Sequence, residues 1–214
     1  MFGLHDVTEI AVTALRLHLG ELVDHEVKEK YFSQVSDWFQ QGPETLIDSH
    51  TMVLQLAEFE TMRGNTDQVV GLYREFLAGE DLLPLHRAIV QNNLAYVLAL
   101  DKKGVESLQL IEEAIQHLGP TSSLLDTRAM AKIATGNYPD AKNDLNRAID
   151  DDETAAFRFH LAYVQSLERN SSAAESELRQ AIQLGLKPHH LHPFERDIFQ
   201  RLVQDLGLES VVLN

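Results

Sequence analysis

The strongest constraint on this chain is a set of small residues that return at a fixed interval. Ala95, Ala129 and Ala162 stand 34 and 33 residues apart, and so do Ala114, Ala148 and Ala181. Ser107, Ala141 and Ala174 keep the same spacing, and a large apolar residue keeps it too at Ile111, Leu145 and Leu178. Small side chains in fixed register let two helix backbones approach closely, and the large residue fills the hole between them. Each of the segments 92–115, 126–149 and 159–182 reads as a helix, a short polar turn and a second helix. One such hairpin cannot bury its apolar face alone, so the hairpins must stack.

Helical periodicity runs along the chain. Leu108, Ile111, Ala114, Ile115 and Leu118 recur at helical spacing, and Gly64-Asn65, Gly104, Gly119-Pro120 and Gly136-Asn137 break such runs. No segment alternates in the manner of a strand, which makes the chain all-α. Residues 6–41 read as a further, irregular helix pair. Pro193 suits a first helical position and Gly207 a stop, so a single last helix is expected between them. Its buried stripe would be Phe194, Ile198, Phe199, Leu202 and Val203, with charged residues on the other face.

This register resembles the tetratricopeptide repeat (TPR), with small residues at fixed places, Gly in the turn and an aromatic residue after it. Residues 122–155 carry Ala129, Gly136, Tyr138, Ala141, Leu145 and Ala148. Residues 50–83 match less closely, with Phe76 where a small residue is expected, and 155–188 have Arg169-Asn170 in place of the turn glycine. The C-terminal half is similar in wording to the last repeats and closing helix of bacterial multi-repeat members. The resemblance implies a right-handed α-solenoid. Its parts would be a degenerate helix pair at 1–49, TPR-like repeats at 50–83, 87–120, 122–155 and 155–188, and a capping helix and tail at 189–214.

Composition narrows the chemistry. The 214 residues include no cysteine, which removes disulfides, thiol catalysis and thiolate metal sites. A net charge of −15 with no basic stretch argues against nucleic acid and anionic membranes. The absence of a long apolar run or a secretory leader leads to the expectation of a cytoplasmic protein. His189, His190 and His192 crowd one loop, but that loop offers no rigid i, i+4 ligand pair, so no metal or cofactor is expected. Asp150, Asp151, Asp152 and Glu153 read as a solvated helix end, with Asp151 or Asp152 placed to cap the next helix. No phosphate loop, HExxH or nucleophile elbow is present, so no catalytic residue is assigned.

The resemblance implies a binding groove lined by the first helix of each pair. The groove positions would be Leu54 and Glu58, then Asn92, Tyr96 and Ala99, then Asp126, Met130 and Ile133, then Phe159, Tyr163 and Ser166. Asn92 can both donate to and accept from a peptide backbone, and Tyr96, Phe159 and Tyr163 offer aromatic anchors. Family members that grip acidic chaperone tails do so with Lys and Arg. Here Ile89, Ser123, Thr127 and His160 stand in those places, which favours a neutral or basic protein segment. The function expected is therefore an interaction scaffold. One alternative is a recruiting or self-associating module that works through its uncapped N-terminal edge as a homo-oligomer or in a larger assembly. A metal-dependent enzyme is a minor alternative.

Overall fold

The computed structural model describes residues 49–79 and 82–212. The helix pair expected at 6–41 and the N-terminal edge lie outside them. Every regular element among the described residues is helical. The chain divides into two compact units, 1–76 and 77–214. No helix among the described residues is long and apolar enough to cross a membrane.

The first unit contributes α1 (Ser49–Arg63) and α2, which runs Thr66–Leu77. Ala57 and Phe59 are buried on α1, and Val69, Val70, Tyr73 and Phe76 on α2. Phe76 is thus accommodated in the place where the repeat pattern asks for a small residue.

The second unit holds three hairpins: α3 (Pro84–Leu100) with α4 (Gly104–Leu118), α5 (Ser122–Ala134) with α6 (Tyr138–Asp151), and α7 (Ala155–Leu167) with α8 (Ser171–Gln183). A 3-10 turn, Pro188–His190, leads to α9 (Pro193–Asp205) and the short α10 (Glu209–Val212). First helices pack on first helices, α3 on α5 and α5 on α7, while α4 also meets α5 and α6 meets α7. The nine small residues in register and the large apolar residues Ile111, Leu145 and Leu178 are all at 0% exposure. Ala114 shares a cluster with Leu124 of the next hairpin. Ala148 meets Phe157 in the same way, and Ala181 packs in one cluster with Phe199 and Leu202 of α9. In the first hairpin the serine adds a bond, its hydroxyl donating to the carbonyl of Ala95 at 2.6 Å.

The turns inside the hairpins share one geometry. Lys102, Gly136 and Arg169 all take left-handed backbone conformations, with φ of 61°, 80° and 62°. In each turn the next amide reaches back five residues: Lys103 to Leu98, Asn137 to Lys132 and Asn170 to Gln165, at 2.8, 2.9 and 3.0 Å. This is the Schellman closure of a helix end. Two non-glycine residues are held there by the same hydrogen bonds that hold Gly136, at a local steric cost. Gly104 serves another purpose. It opens α4 against α5, where a Cβ would meet Thr135 Cγ2 at 2.8 Å, Ala134 Cβ at 2.9 Å and the Ala131 carbonyl oxygen at 3.0 Å.

Between hairpins the caps are threonines. Thr121 Oγ1 accepts from the Leu124 amide, and Thr154 Oγ1 from the Phe157 amide at 3.2 Å. The expectation that Asp151 or Asp152 caps α7 is corrected. Asp151 is the last residue of α6 and accepts the Ser122 hydroxyl, and Asp152 closes the end of α6. Thr154 is the residue directly before α7, so its hydroxyl is the one within reach of the free amides. An ion network ties the second hairpin together: Asp144, only 3% exposed, accepts two bonds from Arg128 at 2.7 Å and one from Lys132 at 2.6 Å. Burial alone would raise the Asp144 carboxyl, but these cations bring it below its ordinary value.

Candidate functional site

The three first helices α3, α5 and α7 each send one polar side chain to a common point, and the start of α9 supplies the rest. His160 on α7 is central and 2% exposed. Its Nδ1 lies 2.6 Å from Asp126 Oδ1 on α5, and its Nε2 lies 2.7 Å from Glu195 Oε1 in the first turn of α9. Tyr96 on α3 places its hydroxyl 3.3 Å from the same Nε2. Glu195 uses its second oxygen to accept from the His192 amide at 3.1 Å, while His192 Nδ1 accepts from the Phe194 amide at 3.3 Å. That reciprocal pair is a capping box with histidine in the place usually held by serine or threonine.

The electrostatics follow from this geometry. Burial opposes a charge on His160, but Asp126 and Glu195 on either side overcome it and raise the imidazole to about 10. His160 is therefore an imidazolium that gives each N–H to a different carboxylate. Burial likewise pushes Glu195 upward, but His160 and the bond from Tyr96 bring it below its ordinary value. The Tyr96 phenol is raised well above its usual value by burial and by the two nearby acids. His192 goes the other way: burial lowers it to about 4, so it is neutral, and its Nε2 is buried without a hydrogen-bond partner.

Apolar packing surrounds this polar centre. Phe159 stacks edge-on with Phe199 of α9 at 6.0 Å between centroids. Leu178, Ala181, Leu202 and Val203 complete the cluster. Glu195 and Phe199 both lie on the face of α9 that meets the hairpins, so the expected separation of apolar and charged faces on this helix is corrected at Glu195. The acid belongs to the buried stripe because an imidazolium is there to receive it.

The expected groove positions fall into two groups. Ala99, Asp126, Met130, Ile133 and Phe159 are buried, at 6%, 7%, 3%, 8% and 1% exposure, packed against neighbouring helices or α9. As the chain stands, they present almost no surface to another molecule. Asn92, Tyr96, Tyr163 and Ser166 stay half-buried, as do Leu54 and Glu58 in the first unit. The Asn92 amide nitrogen donates weakly to Asn93 Oδ1 at 3.3 Å, and its oxygen is buried with no partner. Ser166 donates to the Tyr163 carbonyl at 2.7 Å.

His160, Glu195 and His192 are the members of the polar centre that sequence reasoning missed. Two signals were present: Asp126 and His160 are one period apart, and Glu195 precedes Phe199 and Leu202 at i+4 and i+7. Of the three loop histidines, His192 is accounted for as the N-cap of α9. Among the described residues no group of three His, Cys, Asp or Glu side chains is arranged to hold a metal ion.

The fold has clear counterparts among solved structures. TTC0263, a thermophilic TPR protein of Thermus thermophilus, matches with a TM-score of 0.63 at 15% identity, covering 94% of this chain and 100% of that one. PilW, a widely conserved type IV pilus biogenesis factor, matches with a TM-score of 0.59 at 15% identity, covering 97% and 89%. Pseudomonas aeruginosa PilF gives 0.57 at 18% identity, covering 97% and 93%. No family model matches the chain, and no curated protein matches it in sequence. At these identities the likeness shows the fold, a stack of TPR-like hairpins.

Proposed function

We propose that this chain, a stack of TPR-like hairpins, is a non-catalytic interaction scaffold that holds a polypeptide segment along the face made by its first helices. The observation that carries this reading is on α3. Asn92 holds a buried amide oxygen without a partner, and Tyr96 lies one turn further along the same helix. A buried acceptor left open costs about 1–3 kcal/mol unless something donates to it. The half-buried Asn92 side chain, turned outward, can present this oxygen to a peptide backbone N–H. Tyr163 and Ser166 on α7 extend the half-open strip, and Leu54 and Glu58 are the matching half-open positions on the first helix of their own unit. With a net charge of −15, the chain favours neutral or basic segments over acidic ones or nucleic acid.

The test is a photoreactive phenylalanine placed at Asn92 or at Tyr163, with a control at Arg147 on α6. Irradiation in the source cell followed by mass spectrometry should crosslink one and the same protein segment from both test positions and not from the control. Equal yields at all three positions would remove the face from consideration.

A further inference from the structure

α9 is joined to the hairpins by a short loop, and its first turn is held at one buried point by His160. Two N–H groups of His160 face two carboxylates at 2.6 and 2.7 Å. A neutral imidazole keeps only one hydrogen, so one carboxylate would then face a nitrogen lone pair at hydrogen-bond distance, out of water. We propose that His160 is a proton-controlled lock on α9: with its proton it holds Glu195 and closes the helix over α7, and without it the first turn of α9 comes free.

The geometry decides which contact gives way. Asp126 sits in α5, which is packed against α3, α4, α6 and α7. Glu195 sits in the first turn of a helix that meets the hairpins chiefly at α7. Its other oxygen closes the capping box on the His192 amide, so moving Glu195 also opens that half of the capping box. Helix start and docking contact thus depend on one carboxylate.

The groups facing His160 are Asp126 from α5, Tyr96 from α3, and Glu195 with His192 from the start of α9. Tyr96 keeps its proton well past the ordinary phenol range, and His192 is already neutral near pH 7. Neither competes as the switch. The raised imidazole makes the hold complete below the ordinary value of 6.5 and weaker as pH climbs toward about 10. Release would widen the first-helix face around Tyr96. That consequence rests on the binding reading above, whereas the lock does not.

Trypsin provides the readout on the full chain, because α9 carries the exposed Arg196 and Arg201. Cleavage at these sites is measured at intervals from pH 7 to pH 10 and normalised to an unstructured peptide at each pH, with Arg147 of α6 as internal reference. The expected result is a tenfold or greater rise at Arg196, in the freed first turn, with Arg147 unchanged. His160→Gln should give high cleavage at Arg196 across the whole range. Should that variant fail to fold, Glu195→Gln should move the midpoint of the rise downward toward the ordinary imidazole value. A flat wild-type profile, the same rise persisting in His160→Gln, or an unmoved midpoint in Glu195→Gln would each overturn the lock. None of these readings depends on whether a partner binds.

Discussion

Asp126 and His160 stand 34 residues apart in the chain and 2.6 Å apart in the fold. The interval is one repeat, so two neighbouring first helices meet through a charged hydrogen bond at the point where the chain adds its last long helix. The ion pair is continued by Glu195, and three packed layers share a single imidazolium.

Breaking that arrangement from one side is expected to be costly. Glu195→Ala leaves a buried cation with one counter-charge and opens one half of the capping box of α9. Loss of one partner from a buried pair typically costs about 3–5 kcal/mol. Urea unfolding at pH 7 should show a fall of that order, and a loss under about 1 kcal/mol would mean that the pair contributes little beyond its surroundings.

The same centre sets a pH profile for stability. His160 is raised above 6.5, so its contribution is whole below that value and declines toward about 10. Glu195 is lowered from 4.5, so its contribution is whole above that value and is lost as the solution becomes more acid. His192 is lowered from 6.5 to about 4, so its burial also costs stability as pH drops below 6.5, and stability from this site should therefore be greatest near 6.5 and fall on both sides. Chemical denaturation across pH 4 to 10 checks it, with the Glu195→Ala variant giving a flatter alkaline limb.

The left-handed turn positions make a prediction with opposite signs. Lys102→Gly and Arg169→Gly should each stabilise or leave unchanged, by up to about 1 kcal/mol, because they remove a Cβ from a conformation that opposes it. Gly136→Ala should destabilise by about 1–2 kcal/mol for the same reason. Thermal melts of the three variants decide the matter, and a destabilising Arg169→Gly would mean that the arginine side chain contributes more than its backbone costs.

Gly104→Ala tests close approach between hairpins. A methyl there meets two side-chain carbons and a backbone oxygen at 2.8–3.0 Å. Overpacking of this kind costs about 1–3 kcal/mol. The loss should appear in urea melts, and a neutral result would show that α4 and α5 can part slightly at no expense.

Sequence reasoning reached the hairpins because helix packing leaves a periodic mark. Ala95, Ala129 and Ala162 must be small in any stack of this kind, and the alphabet of small side chains is short. It missed the polar centre because one 34-residue interval, Asp126 to His160, does not stand out among many, and nothing local marks a glutamate on a charged helix as buried. His160 looks like any other histidine until Glu195, 35 residues on, is brought against it. Phe159 illustrates the same limit. Helical spacing put it on the first-helix face, and only the docking of Phe199 shows that the face is covered at that place. Thr154 outcompeted Asp151 and Asp152 as a cap for a local reason: both acids belong to the end of α6, and the threonine alone adjoins the first residue of α7.

The shared turn geometry has a consequence for how such proteins diverge. What the three turns have in common is a hydrogen-bond closure, and Lys102 and Arg169 satisfy it as Gly136 does. Glycine there is a convenience rather than a requirement. A hairpin can carry lysine or arginine there and keep the same closure, and a consensus written around glycine would recognise one hairpin of these three.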